Sequence, residues 1–482
     1  MSKDFGGGAA EICIGLFLFI KGMVKMNDTI AAISTPFGEG GIGIIRISGE
    51  SAFSIIKEVF RRPGKSQEME NRKLTYGNII DPETGKMIDE VLCVEMKAPG
   101  TYTAEDVAEI HCHGGTVLLR KTLELVLQRG ARLADKGEFT QRAFLNGRLD
   151  LTQAEAVMDM IRAKADRSLD AAVHQLEGVL SDKIREIRAM LMDLLVELTV
   201  NIDYPDEDIE VLTYEKTEKS IALIRKEIEM LLQRSETGRI ISEGLKVSIV
   251  GKPNVGKSSL MNHLLREARA IVTDIPGTTR DTIQESLNIR GIPLVLTDTA
   301  GIRETDDQIE SIGIERSKES LMRADLVIFM MDSSTRPDKE DREIIARIDP
   351  ARTIAVLNKT DLDPVVTDEE VRDLLPGVEV IRTSLTQNSG VSRIEDSIVR
   401  RVYSGEVSQE DSLMVTNVRH KNLLENARAA VMSAGEMTES GEPLEIIEED
   451  VHEAYDILGE IIGESVTDDI LNEVFSRFCL GK

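Results

Sequence analysis

Residues 246–259 read KVSIVGKPNVGKSS, and this stretch decides the fold of the central part of the chain. The apolar residues 246–250 predict a strand that runs directly into a glycine-rich loop, after which Ser259 opens a helix. A Gly-x-x-x-x-Gly-Lys-Ser loop in this setting turns backbone N–H groups toward phosphates, and the helix N-terminus adds its positive dipole end. We therefore expect Lys257 to reach the β- and γ-phosphates of a nucleotide and the hydroxyl of Ser258 to bind Mg²⁺.

The next two motifs indicate how the metal and the γ-phosphate are held. Residues 294–297 predict a strand that ends in Asp-Thr-Ala-Gly at 298–301. The acidic residue of this motif can hold the water shell of Mg²⁺, and Gly301 can offer its N–H to the γ-phosphate. Between this motif and the first loop, residues 277–281 read GTTRD and can supply a threonine to Mg²⁺.

Two motifs further along the chain predict which base is bound. Residues 353–357 predict a strand that ends in Asn-Lys-Thr-Asp at 358–361. The carboxylate of Asp361 can accept from the N1–H and 2-amino groups of guanine together, whereas adenine lacks both donors. Thr383 and Ser384 follow another strand and are placed to direct a backbone N–H at guanine O6. The order and spacing of these motifs predict an α/β block that binds and hydrolyses GTP.

The residue that handles the attacking water is not evident from these motifs. Many small GTPases place a glutamine directly after the Asp-x-x-Gly motif, and here that position is Ile302, which cannot orient water. Acidic candidates in the following loop are Glu304, Asp306, Asp307 and Glu310. The alternative interpretation of this loop is a solvated, mobile acidic segment.

Length and composition limit the class of protein. The 482 residues suggest about three domains, with 41% hydrophobic and 30% charged residues typical of a soluble globular chain. A net charge of −27 excludes a general binding surface for nucleic-acid phosphates, so any nucleic acid is expected on a local patch or on a partner. The four cysteines are widely spaced and form no disulfide framework, which favours a reducing cytoplasm.

The periodicity of the apolar residues predicts a multidomain α/β protein. Apolar residues between 152 and 200 recur in steps of three and four, which predicts one or two long helices. The apolar run 12–20 is too short to span a bilayer. The predicted divisions are an N-terminal extension at 1–25, a mixed α+β domain at 26–145, helical parts at 146–243 and 404–482, and the nucleotide domain at 244–403, inserted between the two helical parts.

Several motifs outside the nucleotide set resemble the MnmE (TrmE) family of tRNA-modification GTPases, and the resemblance runs from Asn27 to Lys482. The matching segments are GIIRISG at 43–49, EIHCHGG at 109–115, GEFTQRAFLN at 137–146, DLTQAEA at 150–156 and FCLGK at 478–482. The family usually ends in Cys-Ile-Gly-Lys, so Leu480 is a mild departure. Residues 1–25 lie outside the family pattern.

The resemblance implies a fold and a cofactor for the N-terminal domain. It implies an α+β domain similar to tetrahydrofolate-binding enzymes, which forms a homodimer and holds 5-formyl- or methylene-tetrahydrofolate as a one-carbon donor. The folate contacts carried over to this sequence are Arg46, Glu109, Arg148 and Lys482. Cationic groups suit the folate glutamate, and a carboxylate suits the pterin donors. The alternative for Glu109 and Arg148 is an ordinary surface pair.

For the Ras-like P-loop domain, the resemblance implies a K⁺-stimulated GTPase whose water-activating residue is Glu310. Mg²⁺ is implied at Ser258 and Thr279, and K⁺ at the Asn254 side chain with backbone oxygens of Thr273, Ile275 and Thr278. The full predicted nucleotide set is Asn254, Val255, Gly256, Lys257, Ser258, Ser259, Thr273, Asp274, Ile275, Pro276, Gly277, Thr278, Thr279, Asp298, Thr299, Ala300, Gly301, Asn358, Lys359, Asp361, Ser384, Leu385 and Thr386.

Two sites near cysteines leave alternatives open. Cys479 is a candidate catalytic nucleophile, and the alternative is a thiol packed on a helix end. The segment His111-Cys112-His113 could suggest zinc, but no second pair of ligands is visible. Strand alternation also places both histidines on one face and the cysteine on the other.

The function that the resemblance implies is modification of tRNA in the cytoplasm, without a membrane. With an FAD-containing partner of the GidA/MnmG type, the dimer adds an aminomethyl-type group, carboxymethylaminomethyl in the family, to C5 of the wobble uridine. The partner is expected to hold most of the tRNA. The alternatives are a ribosome-assembly GTPase, which lacks the N-terminal domain and the cysteine tail, and a regulatory scaffold without base chemistry.

Overall fold

The computed structural model describes residues 28–64, 68–163, 165–204, 214–269, 285–297, 321, 324–403 and 414–482. The chain divides into two compact units, Met1–Met158 with Ile462–Lys482, and Asp159–Ile461. The domain boundaries expected from the sequence are finer than this division and stay a prediction. Within the described ranges, no helix is both long enough and apolar enough to cross a membrane.

A seven-stranded sheet forms the centre of the first unit. Its strands are β1 (Ile30–Ile33), β2 (Gly40–Ser48), β3 (Phe60–Arg61), β4 (Thr75–Ile80), β5 (Met87–Met96), β6 (Val107–Gly114) and β7 (Arg132–Leu133). Its helices are α1 (Ala52–Val59), α2 (Thr116–Gln128), α3 (Glu138–Leu145), the start of α4 (Leu151–Arg162) and α15 (Asp468–Ser476). The strand order is β3-β4-β5-β6-β2-β1-β7, with antiparallel neighbours except for the parallel pair β1 and β7.

Strand β2 shows how the sequence produces this sheet. Its side chains alternate between two faces, so that Ile45 and Ile47 are fully buried in the core formed with α1 and α2. Arg46, between them, belongs to the opposite face of the sheet. Short apolar runs at residues 41–48, 91–96 and 107–112 predict strands, and the structure has β2, β5 and β6 there. The segment 116–128 is helix α2.

A buried ion network fixes helix α3 in this unit. The guanidinium of Arg142 is 2% exposed and donates to Asp28 Oδ1 at 2.6 Å, Glu138 Oε1 at 2.9 Å and Glu105 Oε1 at 3.2 Å. It also donates to the backbone oxygen of Asp28 at 2.9 Å. Arg132 reaches two of these three carboxylates, Asp28 Oδ2 at 2.8 Å and Glu138 Oε1 at 2.6 Å. The helix is therefore held by paired charges as well as by its apolar side chains.

The helical part of the second unit corrects one expectation. Its helices include α5 (Asp166–Leu176), α6 (Val179–Asp203), α7 (Tyr214–Gln233), α8 (Ser235–Glu243), α13 (Val418–Ser440) and α14 (Leu444–Ile462). The prediction of one or two long helices over residues 152–200 is wrong, because α4, α5 and α6 divide that range. Gly178 has φ +92° and Ala165 is extended at φ −143°, so neither backbone continues a right-handed helix.

Two C-terminal helices, α13 and α14, pack on helices of the first helical segment. Helix α13 packs along α7. Arg188 of α6 lies over the ring of Tyr455 of α14, with 4.0 Å between its Cζ atom and the ring centroid, and its Nε donates to the Tyr455 backbone oxygen at 3.2 Å. The nucleotide sheet lies, in the sequence, between these two groups of helices.

A six-stranded sheet carries the nucleotide motifs. Its strands are β8 (Leu245–Val250), β9 (Glu285–Ile289), β10 (Ile292–Thr297), β11 (Leu326–Asp332), β12 (Thr353–Asn358) and β13 (Glu379–Arg382), and the flanking helices are α9 (Lys257–Arg269), α10 (Lys339–Ile345), α11 (Asp368–Leu374) and α12 (Val391–Tyr403). The order is β13-β12-β11-β8-β10-β9, and only the β9–β10 pair is antiparallel. The parallel strands are mostly apolar because helices cover both faces of the sheet. Their carboxyl ends bring the loops after β8, β12 and β13 to one edge.

Candidate functional site

The backbone of the loop between β8 and α9 requires glycine at two positions. Gly251 and Gly256 have φ values of +150° and +109°. A Cβ atom on Gly251 would lie 2.3 Å from the Met330 backbone oxygen, and one on Gly256 would lie 2.3 Å from Asn358 Nδ2. Asn254 also has a positive φ, +63°, and is exposed. The two glycines thus let the loop pack tightly on β11 and β12 while Asn254 stays accessible.

Lys257 begins helix α9 with its ammonium turned back into the loop. Its Nζ donates to the backbone oxygens of Gly251 and Lys252, both at 2.7 Å. Burial lowers the pKa of Lys257 from its usual value. A half-buried cation held by weak acceptors at the mouth of a phosphate loop is well placed to meet the charge of a nucleotide. Ser258 follows it, exposed in the first helical turn.

On the base side of the site, Asn358 joins two loops. Its Nδ2 donates to the Val255 backbone oxygen at 2.8 Å. Its Oδ1 accepts from Thr383 Oγ1 at 3.2 Å and from the backbone N–H of Leu385 at 3.4 Å. The Asn358 side chain is 3% exposed, so these bonds fix the phosphate loop relative to the segment 383–386.

Asp361 presents the carboxylate expected to read guanine. Its Oδ1 accepts from Ser384 Oγ at 2.6 Å, and Ser384 Oγ lies 3.0 Å from Thr386 Oγ1. The hydrogen bond from Ser384 is the main reason why the pKa of Asp361 lies below its usual value. An ionised carboxylate at this position can accept the two donors of a guanine base.

Lys359, the neighbour of this carboxylate, is held by an ion pair. It has φ +62°, and its Nζ lies 2.7 Å from Asp332 Oδ2 at the end of β11. Burial acts to raise the pKa of Asp332, but the hydrogen bonds from Lys359 and Ser334 outweigh this effect and leave the pKa below its usual value. The Asp332–Lys359 pair fixes the lysine beside the base site.

Part of the predicted nucleotide set lies outside the described residues. The residues of this part are Thr273, Asp274, Ile275, Pro276, Gly277, Thr278, Thr279, Asp298, Thr299, Ala300 and Gly301, and the predicted water-activating residue Glu310 also lies outside the described residues. The structure therefore brings together the loop residues 254–259 and the base-side residues 358–361 and 384–386.

In the first unit, the predicted folate residues Arg46 and Glu109 meet on neighbouring strands. Arg46 Nε donates to Glu109 Oε1 at 2.9 Å, and the second carboxylate oxygen lies 3.1 Å from His111 Nε2. Burial acts to raise the pKa of Glu109, but hydrogen bonds and charge from His111 and Arg46 leave the pKa below its usual value. The carboxylate of Glu109 thus stays ionised at neutral pH, within a partly buried cluster.

The C-terminal tail joins this cluster. Burial, and then the charge of Arg46, lower the pKa of Lys482, while Cys479 and Glu109 act in the opposite direction. These four side chains therefore lie within electrostatic range of one another. Cys479 itself is exposed.

The backbone of the tail is fixed against strand β1. Ser34 Oγ donates to the Gly481 backbone oxygen at 3.1 Å, and the Gly137 N–H donates to the Cys479 backbone oxygen at 3.4 Å. Gly481 has φ +89°, and a Cβ atom there would lie 2.3 Å from the Ile33 backbone oxygen. Only glycine fits this position. The backbone conformation of Gly481 sets the direction in which the chain continues to Lys482.

Tyr102 is a site residue that the sequence reasoning missed. The Cζ atoms of Arg46 and Arg148 lie over its ring, 5.5 and 5.0 Å from the centroid. Arg148 Nη1 also donates to the Tyr102 backbone oxygen at 3.0 Å, and the phenol oxygen lies 2.9 Å from Thr140 Oγ1. Arg148 therefore contacts Tyr102 and not Glu109. Arg46 contacts both Tyr102 and Glu109, and Glu109 also pairs with His111. The available signal was an aromatic residue between two threonines, in a chain with 6 tyrosines.

The histidines of the His111-Cys112-His113 segment have carboxylate partners. His111 contacts Glu109, and His113 Nδ1 lies 2.7 Å from Asp89 Oδ1. Cys112 is buried, and burial raises its pKa to about 12. Across the part of the chain that the structure describes, no group of three or more metal-ligating side chains is present. The segment thus contributes one residue, His111, to the Glu109 cluster.

Comparison with known proteins covers nearly the whole chain. The sequence profile of the MnmE helical domain matches residues 151–479, and that of the GTP-binding protein TrmE N-terminus matches residues 29–148. The tRNA modification GTPase MnmE of Alkaliphilus metalliredigens is 50% identical over 459 residues, which are 95% of this chain and 100% of that protein. The chain belongs to the MnmE family. The family and the fold class expected from the motifs are therefore confirmed.

Other similar proteins have the same name. The tRNA modification GTPase MnmE of Bacillus subtilis is 47% identical over 458 residues, covering 94% of this chain and 100% of that protein. Among solved structures, one of an Aquifex aeolicus Era variant bound to GDP and aluminium fluoride is 29% identical over 39% of this chain and 66% of that chain, with a TM-score of 0.26.

Proposed function

We propose that this MnmE-family chain hydrolyses GTP with Mg²⁺ in order to modify tRNA. The observation that carries the proposal is the hydrogen-bond network of Asn358, which connects the phosphate loop at Val255 to the base side at Leu385. The ionised carboxylate of Asp361 lies in the same group of loops and is suited to guanine. Phosphate and base recognition are thus built on one edge of one sheet.

Metal ions complete the nucleotide site in this proposal. Ser258 and Thr279 coordinate Mg²⁺, and the Asn254 side chain coordinates K⁺ together with backbone oxygens of Thr273, Ile275 and Thr278. A K⁺ ion held there would stabilise negative charge on the transferring phosphoryl group, as an arginine does in other GTPases. The exposed position of Asn254 at φ +63° supports its role as a ligand. Glu310 activates the attacking water, the role that the family resemblance implies for it, since Ile302 cannot orient water.

The first unit holds the one-carbon donor, 5-formyl- or methylene-tetrahydrofolate. Glu109 accepts from the pterin, and Arg46, Arg148 and Lys482 supply the cationic groups of the folate site. The bond from Arg46 Nε to Glu109 leaves the other guanidinium N–H groups of Arg46 without an acceptor among the described residues. Cations that stack on an aromatic ring, as Arg46 and Arg148 do on Tyr102, keep their hydrogen-bond donors available to a carboxylate.

Partner proteins complete the reaction. An exposed apolar group on the sheet, Leu74 (51% exposed), Tyr76 (57%) and Leu92 (40%), supports a homodimer through the N-terminal domain. The dimer acts with an FAD-containing partner of the GidA/MnmG type to add an aminomethyl-type group at C5 of the wobble uridine. The net charge of −27 supports a division in which the partner holds most of the tRNA.

The modification of tRNA is tested by mass spectrometry of tRNA nucleosides from a deletion strain complemented with this chain. We expect the C5 side chain of the wobble uridine to disappear on deletion and to return on complementation. An unchanged profile on deletion would refute the proposal. Complementation with Cys479→Ser then separates two roles, because full modification with this variant is incompatible with a nucleophilic Cys479.

The cation site is tested by GTP hydrolysis in buffers that contain either K⁺ or Na⁺ at equal ionic strength. We expect hydrolysis to be roughly 10²-fold slower in Na⁺, the size of effect seen when one stabilising group is removed from a transition state. Asn254→Ala should bring the two rates together. Equal rates for the unsubstituted chain in both salts would remove the K⁺ assignment.

The stacking role of Tyr102 in the folate site predicts different effects for two substitutions. Tyr102→Leu removes both cation–π contacts, so the affinity for 5-formyl-tetrahydrofolate should fall about 5- to 30-fold in a calorimetric titration. Tyr102→Phe keeps the ring and loses only the contact with Thr140, so it should bind nearly as the unsubstituted chain does. Equal losses in both variants would show that the ring does not position the two arginines.

A further inference from the structure

Lys252, the second residue of the phosphate loop, makes a partly buried ion pair that the nucleotide motif does not require. Its Nζ lies 2.7 Å from Asp341 Oδ2 and 2.8 Å from Asp338 Oδ2. The Lys252 side chain is 16% exposed and that of Asp341 only 2% exposed. Asp341 Oδ1 has no hydrogen-bond partner among the described residues, so Lys252 is the main compensation for this buried carboxylate.

The two carboxylates are rigidly held by the start of helix α10. Asp338 Oδ1 accepts from the backbone N–H groups of Glu340 at 2.9 Å and Asp341 at 3.2 Å. Asp341 Oδ2 in turn accepts from the Asp338 N–H at 3.0 Å, which completes a capping box. These bonds fix both carboxylates before the lysine reaches them, so they form an anchor for Lys252.

The anchored residue also shapes the loop that follows it. The Lys252 backbone oxygen accepts from Lys257 Nζ, and Asn254 lies two residues further along the chain. When Lys257 turns toward a phosphate, the Lys252 oxygen loses this donor. The ion pair of the Lys252 side chain then remains as the side-chain connection between the start of the loop and α10, next to the tight backbone contact of Gly251 with Met330.

We propose that Lys252 is a positioning residue for the phosphate side of the nucleotide site. Its ion pair with Asp338 and Asp341 anchors the loop, so that the backbone N–H groups of residues 254–258 face the phosphates before nucleotide binds. A loop ordered in advance binds more tightly, because less conformational freedom is lost on binding. This inference rests on the proposed binding of guanine nucleotides and extends it to a residue outside the motif glycines and lysine.

The test is the affinity of the full chain for GDP in Lys252→Met. We expect the Kd for GDP to rise about tenfold, mainly through faster release of the nucleotide. Lys252→Arg keeps the charge and should stay within about threefold of the unsubstituted chain. Lys339→Met is the matched control, because Lys339 lies on α10, the helix of Asp341, and its side chain is 92% exposed. Its Nζ lies 3.8 Å from Glu343 Oε1, and its loss should leave GDP binding unchanged.

A double-substitution cycle separates positioning from a general loss of fold. Asp341→Asn should also weaken GDP binding, and Lys252→Met combined with Asp341→Asn should cost no more than the larger single effect. Additive losses, or a Kd within twofold in Lys252→Met, would overturn the inference. If Lys252→Met does not fold, Asp341→Asn decides the matter, because a Kd for GDP within twofold of that of the unsubstituted chain would overturn the inference. Absence of GDP binding by the unsubstituted chain would instead overturn the proposed function and this inference with it.

Discussion

Asp361→Asn should lower the affinity for GTP by roughly 10³- to 10⁵-fold, because it replaces one of the two hydrogen bonds to guanine with a contact between two donors. The carboxylate of Asp361 accepts from both N1–H and the 2-amino group of the base. An asparagine amide replaces one of these acceptors with a donor, which then faces a donor of the base. Xanthine has a carbonyl oxygen in place of the 2-amino group, so the variant should gain affinity for xanthosine triphosphate as it loses affinity for GTP.

Competition between the two nucleotides measures this exchange directly. Asp363→Asn is the matched control, since Asp363 is exposed in the same loop two residues away and should keep the preference for GTP. A variant that loses both nucleotides equally would indicate that Asp361 supports the loop through Ser384 and does not read the base. Hydrolysis of the xanthine nucleotide by Asp361→Asn at a near-normal rate would in addition show that base reading and the reaction are separate.

The nucleotide edge was predictable from the sequence because each motif directly follows a buried strand. The run 246–250 and the run 353–357 are mostly apolar, which is typical of strands covered on both faces. Their carboxyl ends share one edge of the sheet, so Asn358 lies beside the phosphate loop. This proximity can be predicted without knowing any side-chain contact. The local pattern alone was therefore sufficient for this part of the site.

Other features depend on contacts between residues that are distant in the sequence, and no local pattern predicts them. Lys252 and Asp338 are 86 positions apart, and their pairing depends on how α10 approaches the loop. Tyr102 meets Arg148 only because the segments fold onto one another. The break at Gly178 was missed for a different reason: the apolar steps of three and four continue across it, although the backbone there has φ +92°.

Arg142→Met should destabilise the first unit by about 3–5 kcal/mol, the usual cost of removing one partner from a buried charge network. The guanidinium of Arg142 is 2% exposed and compensates carboxylates of Asp28, Glu105 and Glu138. Methionine fills much of the same volume without the charge, so the loss reflects unpaired carboxylates more than an empty cavity. Arg120→Met is the control, because the Arg120 side chain is 66% exposed. Its ion pair, with 3.9 Å between Arg120 Nη1 and Glu124 Oε1, lies on the surface and contributes little to stability.

The pH dependence of this destabilisation identifies its electrostatic origin. Burial acts to raise the pKa values of Asp28 and Glu138, but hydrogen bonds from Arg132 and Arg142 bring both below their usual values of 3.8 and 4.5. Carboxylates with lowered pKa values in the folded protein contribute stability that is complete above the unfolded pKa values. This contribution is lost as the pH falls through the folded values. The unsubstituted chain should therefore lose stability below about pH 4.5.

Arg142→Met should respond in the opposite sense, because its remaining buried carboxylates are relieved when they bind protons. The difference in unfolding free energy between the two chains should thus be largest near neutral pH and should shrink between about pH 5 and pH 3. Calorimetric unfolding of both full chains across this range measures the difference. A gap that stayed constant with pH would mean that packing around α3, and not the charge of Arg142, holds this part of the fold together.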